Sequence, residues 1–174
     1  MSQFPYKTQS ELRGYFKRHN LMDLMEINRS YGPYFTSLEG RIDNYNHTLV
    51  DENLKLKNLK MKKEQHEQGY DKATKQEEEF KSTSESLLGI SSRTELFLIR
   101  QSLGYSPMDT YNSILINLEE RIFRTNTTIE NLNKALNDLN QRKKGAISEL
   151  RLLNHVIEEK KAPQNAPIHQ IYMK

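Results

Sequence analysis

The chain has 174 residues, 35% of them hydrophobic and 28% charged, with a formal net charge of +3. An ordinary globular domain carries roughly 45–50% apolar residues, so a thick core is excluded, and only 7 Gly and 5 Pro argue against low-complexity disorder. Absence of Cys excludes disulfide frameworks, thiolate zinc sites and cysteine nucleophiles.

What remains is an elongated helical protein with a thin core. No apolar run is long enough to span a bilayer. The start, Met1-Ser-Gln-Phe-Pro-Tyr-Lys, lacks the apolar stretch of a signal peptide. These features point to a soluble intracellular protein, cytoplasmic or part of a larger particle. The net charge alone is too small to imply nucleic acid.

Residues 1–32 read as an N-terminal helical segment. Thr8-Gln-Ser-Glu11 fits a capping box, in which Glu11 reaches back to the cap amide. Gly32-Pro33 reads as a stop, with Pro33 in the first turn of the next helix, where its missing N–H costs nothing.

From 33 to 88 the first long helix follows. Phe35, Leu38, Ile42, Tyr45, Leu49, Leu56, Leu59, Tyr70, Ala73, Phe80 and Leu87 recur at 3-4 spacing, with Glu52, Lys63, His66, Glu77 and Ser84 intruding. Gly69 adds a weak point, since Gly in a helix interior costs about 1 kcal/mol relative to Ala. The stretch from Lys63 to Glu77 is therefore expected to pack loosely or to be covered by a partner.

Residues 91–104 read as a short amphipathic helix at the hairpin tip, opened by a second capping box, Ser92-Arg-Thr-Glu95. Leu96, Ile99 and Leu103 form one face, with Phe97 and Leu98 beside it. Ile114, Ile116 and Phe123 are expected to receive that face.

The second long helix spans 107–161. Ser106-Pro107-Met-Asp109 supplies a cap, a first-turn Pro and an acid at the positive helix end. Its seam runs from Met108 through Tyr111, Leu115 and Leu118 to Leu153, Ile157 and Lys160, apolar at thirteen of sixteen positions. Two such stripes of about seven heptads each are a coiled-coil signature.

The two stripes are equal in length, which suggests an antiparallel hairpin. A register that puts Leu38 on Ile157 also puts Glu52 opposite Lys143. A buried charge without a partner is costly, so this pair is the expected register pin. Ile147, Leu152 and Val156 lie off the seam, and the N-terminal helix, with Leu12, Tyr15 and Phe16, is expected to cover them. Residues 162–174 read as a flexible tail with two Pro.

No catalytic constellation is legible. The five His, His19, His47, His66, His155 and His169, lack metal-ligand spacing, and there is no HExxH and no Gly-rich phosphate loop. No enzyme activity, cofactor or metal is expected. Candidate contacts are of three kinds. Apolar partner contacts fall at Leu54 and Met61 on the outer face of the first helix, at the tip residues, and at Ile168, Ile171 and Tyr172 in the tail. Basic contacts fall at Arg13, Lys17 and Arg18, interleaved with aromatics, and at Lys55, Lys57, Lys60 and Lys62, where a solvated charged face is the bland reading. Asn112, Asn126, Asn133, Asn140 and Asn154 repeat an amide beside the second seam.

The expected function is a non-enzymatic assembly protein that self-associates or bridges protein partners, as a homo- or hetero-oligomer. The alternatives are a nucleic-acid-associated assembly factor, for packaging or chromosome work, and a small inhibitor that inserts its hairpin tip into a partner enzyme.

Overall fold

The computed structural model describes residue 4, residues 8–88, residue 104 and residues 106–162. Four helices make up the described residues: α1 Gln9–Arg18, α2 Leu21–Glu67, α3 Tyr70–Leu88 and α4 Pro107–Lys161. The protein is all-α, and α2 and α4 pack antiparallel as a helical hairpin. The tip segment 91–104, except Gly104, and the tail from 163 lie outside the described residues.

Local chemistry sets the helix ends. Thr8 and Glu11 form the capping box in full: the Thr8 hydroxyl accepts the Glu11 N–H and the Glu11 carboxylate accepts the Thr8 N–H. Asn20 caps α2, its side-chain oxygen accepting the Asp23 N–H at 2.8 Å. Ser106 does the same for α4 through the Asp109 N–H at 3.1 Å.

Gly32-Pro33 does not stop the chain. α2 starts at Leu21 and runs through Pro33. An interior proline removes one backbone bond and strains its turn. The burial around it outweighs that cost: Leu24 and Tyr31 on one side and Leu38 on the other are almost inaccessible. The first long helix is then interrupted where 33–88 reads as continuous. Gln68 and Gly69 form a turn, and α3 begins at Tyr70. At this joint the buried stripe passes from His66 to Gly69 instead of Tyr70, and the Tyr70 ring stands half exposed.

The expected seams are otherwise the buried faces. Along α4 every seam position from Met108 to Lys160 is buried or half-buried. Along α2 the same holds from Phe35 to His66, and the stripe continues backward through Asn28, Leu24 and Leu21.

The chain divides into two compact units, Met1–Leu49 with Asn131–Lys174, and Val50–Glu130. In the first, α1 lies on the hairpin. Leu12 and Phe16 join Leu24, Tyr31, Ala146, Leu153, Val156 and Ile157 in one core cluster. The expected cover over Val156 and Leu152 is therefore present. Phe4 packs edge-on against Phe16 and tilted against Tyr15. In the second unit the core is a single stripe that includes Leu59, Ala73, Tyr111, Leu118 and Thr125.

The expected register does not form. Within the first unit, Asn28 donates to Asn154, Tyr31 meets Glu149, and Lys143 pairs with Glu39 at 3.3 Å, not with Glu52. Within the second, Lys63 pairs with Glu119 at 3.4 Å. The pairing is displaced by about two heptads from the one expected. A shift by whole heptads leaves every apolar position on the seam, so the stripe alone does not choose between registers. The two heptads are those that α2 gains by starting at Leu21 instead of at Pro33.

Candidate functional site

Among the described residues, the first unit holds one buried polar pair that is satisfied internally and one buried hydroxyl, that of Tyr34, without a hydrogen-bond partner. The Tyr31 hydroxyl donates to the Glu149 carboxylate at 3.0 Å, and both residues are buried. Burial, and then the Glu149 charge, push the Tyr31 hydroxyl pKa well above its ordinary value. Tyr34 is raised for the same reasons, opposed by Arg142 and Arg41. This cluster joins α2 to α4 and has a structural role. Its residues are not legible as a pair from spacing, because they are 118 positions apart.

The N-terminal basic segment is held against its own unit. Arg13 forms an ion pair with Glu159 at 2.8 Å. The Lys160 ammonium donates to the carbonyls of Lys17 and His19. Phe16 is fully buried, and Arg18 borders a shallow depression with Ser10, Glu11, Gly14 and Tyr15. The aromatics between these cations are docking residues of an amphipathic helix.

Unit Val50–Glu130 is organised differently. Three of its polar seam residues, Lys63, His66 and Glu77, find a partner in or beside the seam. Lys63 lies between Glu67 and Glu119. The His66 ring stacks on Tyr111 at 4.3 Å, and its Nε2 donates to the Tyr111 carbonyl at 2.8 Å. The Glu77 carboxylate accepts the Met108 N–H at 3.1 Å, so α3 supplies an acceptor for the first turn of α4. Glu52, half-buried, sits with Lys55, Arg121, Arg124, Thr125 and Thr128 around an open depression.

That unit also has two unlike sides. With seam positions written a and d, antiparallel helices flank each other e to e on one side and g to g on the other. Lys55, Lys62, Arg121 and Thr128 occupy g positions, and the depression gathers Lys55, Arg121 and Thr128 together, as this geometry requires. On the e side, position b holds Val50 and Lys57 on α2 and Ile116 and Phe123 on α4. Phe123 is 70% exposed and Ile116 62%. Leu54 and Met61 continue the α2 stripe one position outward and are exposed. Ile114, at g, is 45% exposed. The burial expected for Ile114, Ile116 and Phe123 is therefore absent.

Of the sites expected from sequence, Leu54, Met61, Lys55, Lys57, Lys60 and Lys62 are placed in this unit, and all are exposed. Lys55, Lys57, Lys60 and Lys62 have no carboxylate at ion-pair distance among the described residues. Leu96, Phe97, Leu98, Ile99 and Leu103, and Ile168, Ile171 and Tyr172, lie outside the described residues. Arg121 and Arg124 were not candidates from sequence. Their signal is the g and c spacing opposite Lys55, which is visible only once the seam is drawn. Among the described residues no group of three or more His, Asp or Glu is placed to hold a metal, and no helix is long and apolar enough to cross a membrane.

No family model, curated protein or solved structure matches the chain.

Proposed function

We propose that this protein is a non-enzymatic assembly protein that works by protein–protein contact through the unit Val50–Glu130. One observation carries the reading. Among the described residues, seven of nine exposed large hydrophobic side chains, Val50, Leu54, Met61, Tyr70, Ile114, Ile116 and Phe123, belong to this unit. Exposed large apolar side chains concentrated on one unit, though on more than one of its sides, favour contact there over the other unit. A photo-cross-linking residue at position 123, compared with one at exposed Asp138 in the other unit, tests it in producing cells. Discrete protein adducts from position 123 alone support contact through this unit. Equal or absent adducts at both positions contradict it.

A second reading, contact with nucleic acid, has a specific observation behind it. Lys55, Arg121 and Arg124 converge on one depression, and Lys62 lies at the next g position of α2. Binding of that kind falls steeply with salt through counterion release. Glu52 in the depression and the Arg124–Glu120 ion pair offset part of this charge, so protein contact ranks first.

A further inference from the structure

The outer face of α2 in unit Val50–Glu130 carries an apolar line between cations. Val50 at b and Leu54 and Met61 at f stand away from the seam, and all three are at least half exposed. From position 50 to position 61 the line rises about 16 Å. Lys55 and Lys62 at g flank it on one side, and Lys57 at b and Lys60 at e on the other. None of the four has a carboxylate at ion-pair distance among the described residues. Residues 53–63 contain five Lys and no acid. Asp51 and Glu64, both exposed, bound this cationic stretch at its two ends.

A phosphate backbone would meet the lysines and leave Leu54 and Met61 uncovered. An extended anionic lipid surface would meet Asp51 and Glu64 as well, and the line offers it three side chains, none of them aromatic. A partner segment of limited length meets only the stretch between the two acids. An amphipathic helix of about three turns covers Val50, Leu54 and Met61 with its apolar ridge. Carboxylates on the two flanks of that ridge reach the lysines on the two sides of the line. Apolar burial then supplies the affinity, and the paired charges supply register and encounter rate. The chain does not hold such a segment outside the described residues: residues 1–7, 89–105 and 163–174 carry one acidic side chain, Glu95.

We propose that the outer face of α2 over residues 50–62 docks an acidic amphipathic helix of a partner protein, with Leu54 and Met61 as the apolar anchors and Lys55, Lys57, Lys60 and Lys62 as the charged rim. This rests on the protein-contact reading and names the chemistry of the partner. The site lies on α2 alone, so it is separable from Ile116 and Phe123 on α4.

A photo-cross-linking residue at position 58, where exposed Asn58 stands between Leu54 and Met61 on the helix surface, tests it in producing cells, with the captured segment mapped by mass spectrometry. The expected adduct lies in a stretch of another protein where apolar residues recur at 3-4 spacing with Asp or Glu beside them. Leu54→Glu with Met61→Glu is expected to lower the adduct yield by about 30-fold or more. Lys57→Gln with Lys62→Gln, one lysine from each side of the line, is expected to lower it about fivefold. Lys134→Gln with Lys144→Gln, two exposed lysines of the other unit, is expected to change it less than about twofold. All six positions are exposed, and helix content by circular dichroism confirms that each variant folds. Adducts to lipid, to nucleic acid or to a second copy of this chain overturn the proposal, as does a captured segment without acidic residues or an equal loss from the two lysine pairs. Protein adducts at position 123 with none at position 58 overturn it and leave the contact reading standing, whereas absence at both positions overturns both.

Discussion

In the unit formed by Met1–Leu49 and Asn131–Lys174, α1 adds a third helical layer, and Phe16, Leu24, Leu153 and Val156 are sealed completely. In unit Val50–Glu130, the helices bury one stripe, and that stripe admits Glu52, Lys63, His66, Glu77 and Thr125. Apolar residues beyond the stripe have no third helix to cover them among the described residues, so Ile116 and Phe123 stand in solvent. Nearly the same seam spacing thus yields a closed core in one unit and an open surface in the other. The difference lies in whether an amphipathic segment is available to cover the flanks.

Core truncations give the largest contrast. Phe16→Ala or Leu153→Ala, at sealed positions, is expected to cost about 3–5 kcal/mol, whereas Leu118→Ala in the thin stripe costs nearer 2 kcal/mol, because a site at the surface collapses and hydrates more easily. Chemical denaturation of the three variants checks this, and equal costs would erase the contrast.

The polar contact inside the closed core comes next. Tyr31→Phe leaves the buried Glu149 carboxylate without its donor and is expected to cost about 1–3 kcal/mol near neutral pH. The alkaline behaviour follows from the raised pKa. Unfolded Tyr31 loses its proton near 10.0, while folded Tyr31 keeps it. Its stabilising contribution is therefore complete below about pH 10 and declines as pH rises beyond that. Melting curves of the wild type should show this alkaline decline, and Tyr31→Phe should lose the Tyr31 share of it.

Glycine substitutions give the smallest effect. At Gly40, in the closed unit, an added Cβ meets nothing within 4 Å, so Gly40→Ala is expected to stabilise by about 0.5–1 kcal/mol. At Gly69, in the joint of the open unit, the Cβ would sit 3.3 Å from the His66 carbonyl oxygen. Gly69→Ala is expected to gain nothing, since a backbone atom has little room to move. Thermal melts of the pair decide it.

Much of the fold is legible in the sequence because burial follows period. The seam residues of α4, the bounds of α4 and the Thr8–Glu11 box are all read from spacing and cap chemistry. The register is not legible once α2 is started at Pro33. Reading Leu21, Leu24 and Tyr31 as a continuation of the 3-4 stripe would have added the missing two heptads, but Gly-Pro reads as a stop on local grounds, and here tertiary burial prevails. The break at Gly69 is half legible: Gly and the polar neighbours Lys63, His66 and Glu77 announce weakness, but not that the stripe skips Tyr70. The candidate surface is legible in its residues, Leu54, Met61 and the lysines, and not in its sidedness. Which exposed residues share a side depends on e and g positions from both helices, and these acquire meaning only when the antiparallel seam is drawn.

Hydrogen exchange read by mass spectrometry tests most directly whether one unit is closed and the other open. Peptides from 9–49 and 131–157 are expected to be strongly protected. Peptides covering 50–67 and 112–126 are expected to exchange faster. Uniform protection of both units would contradict the account.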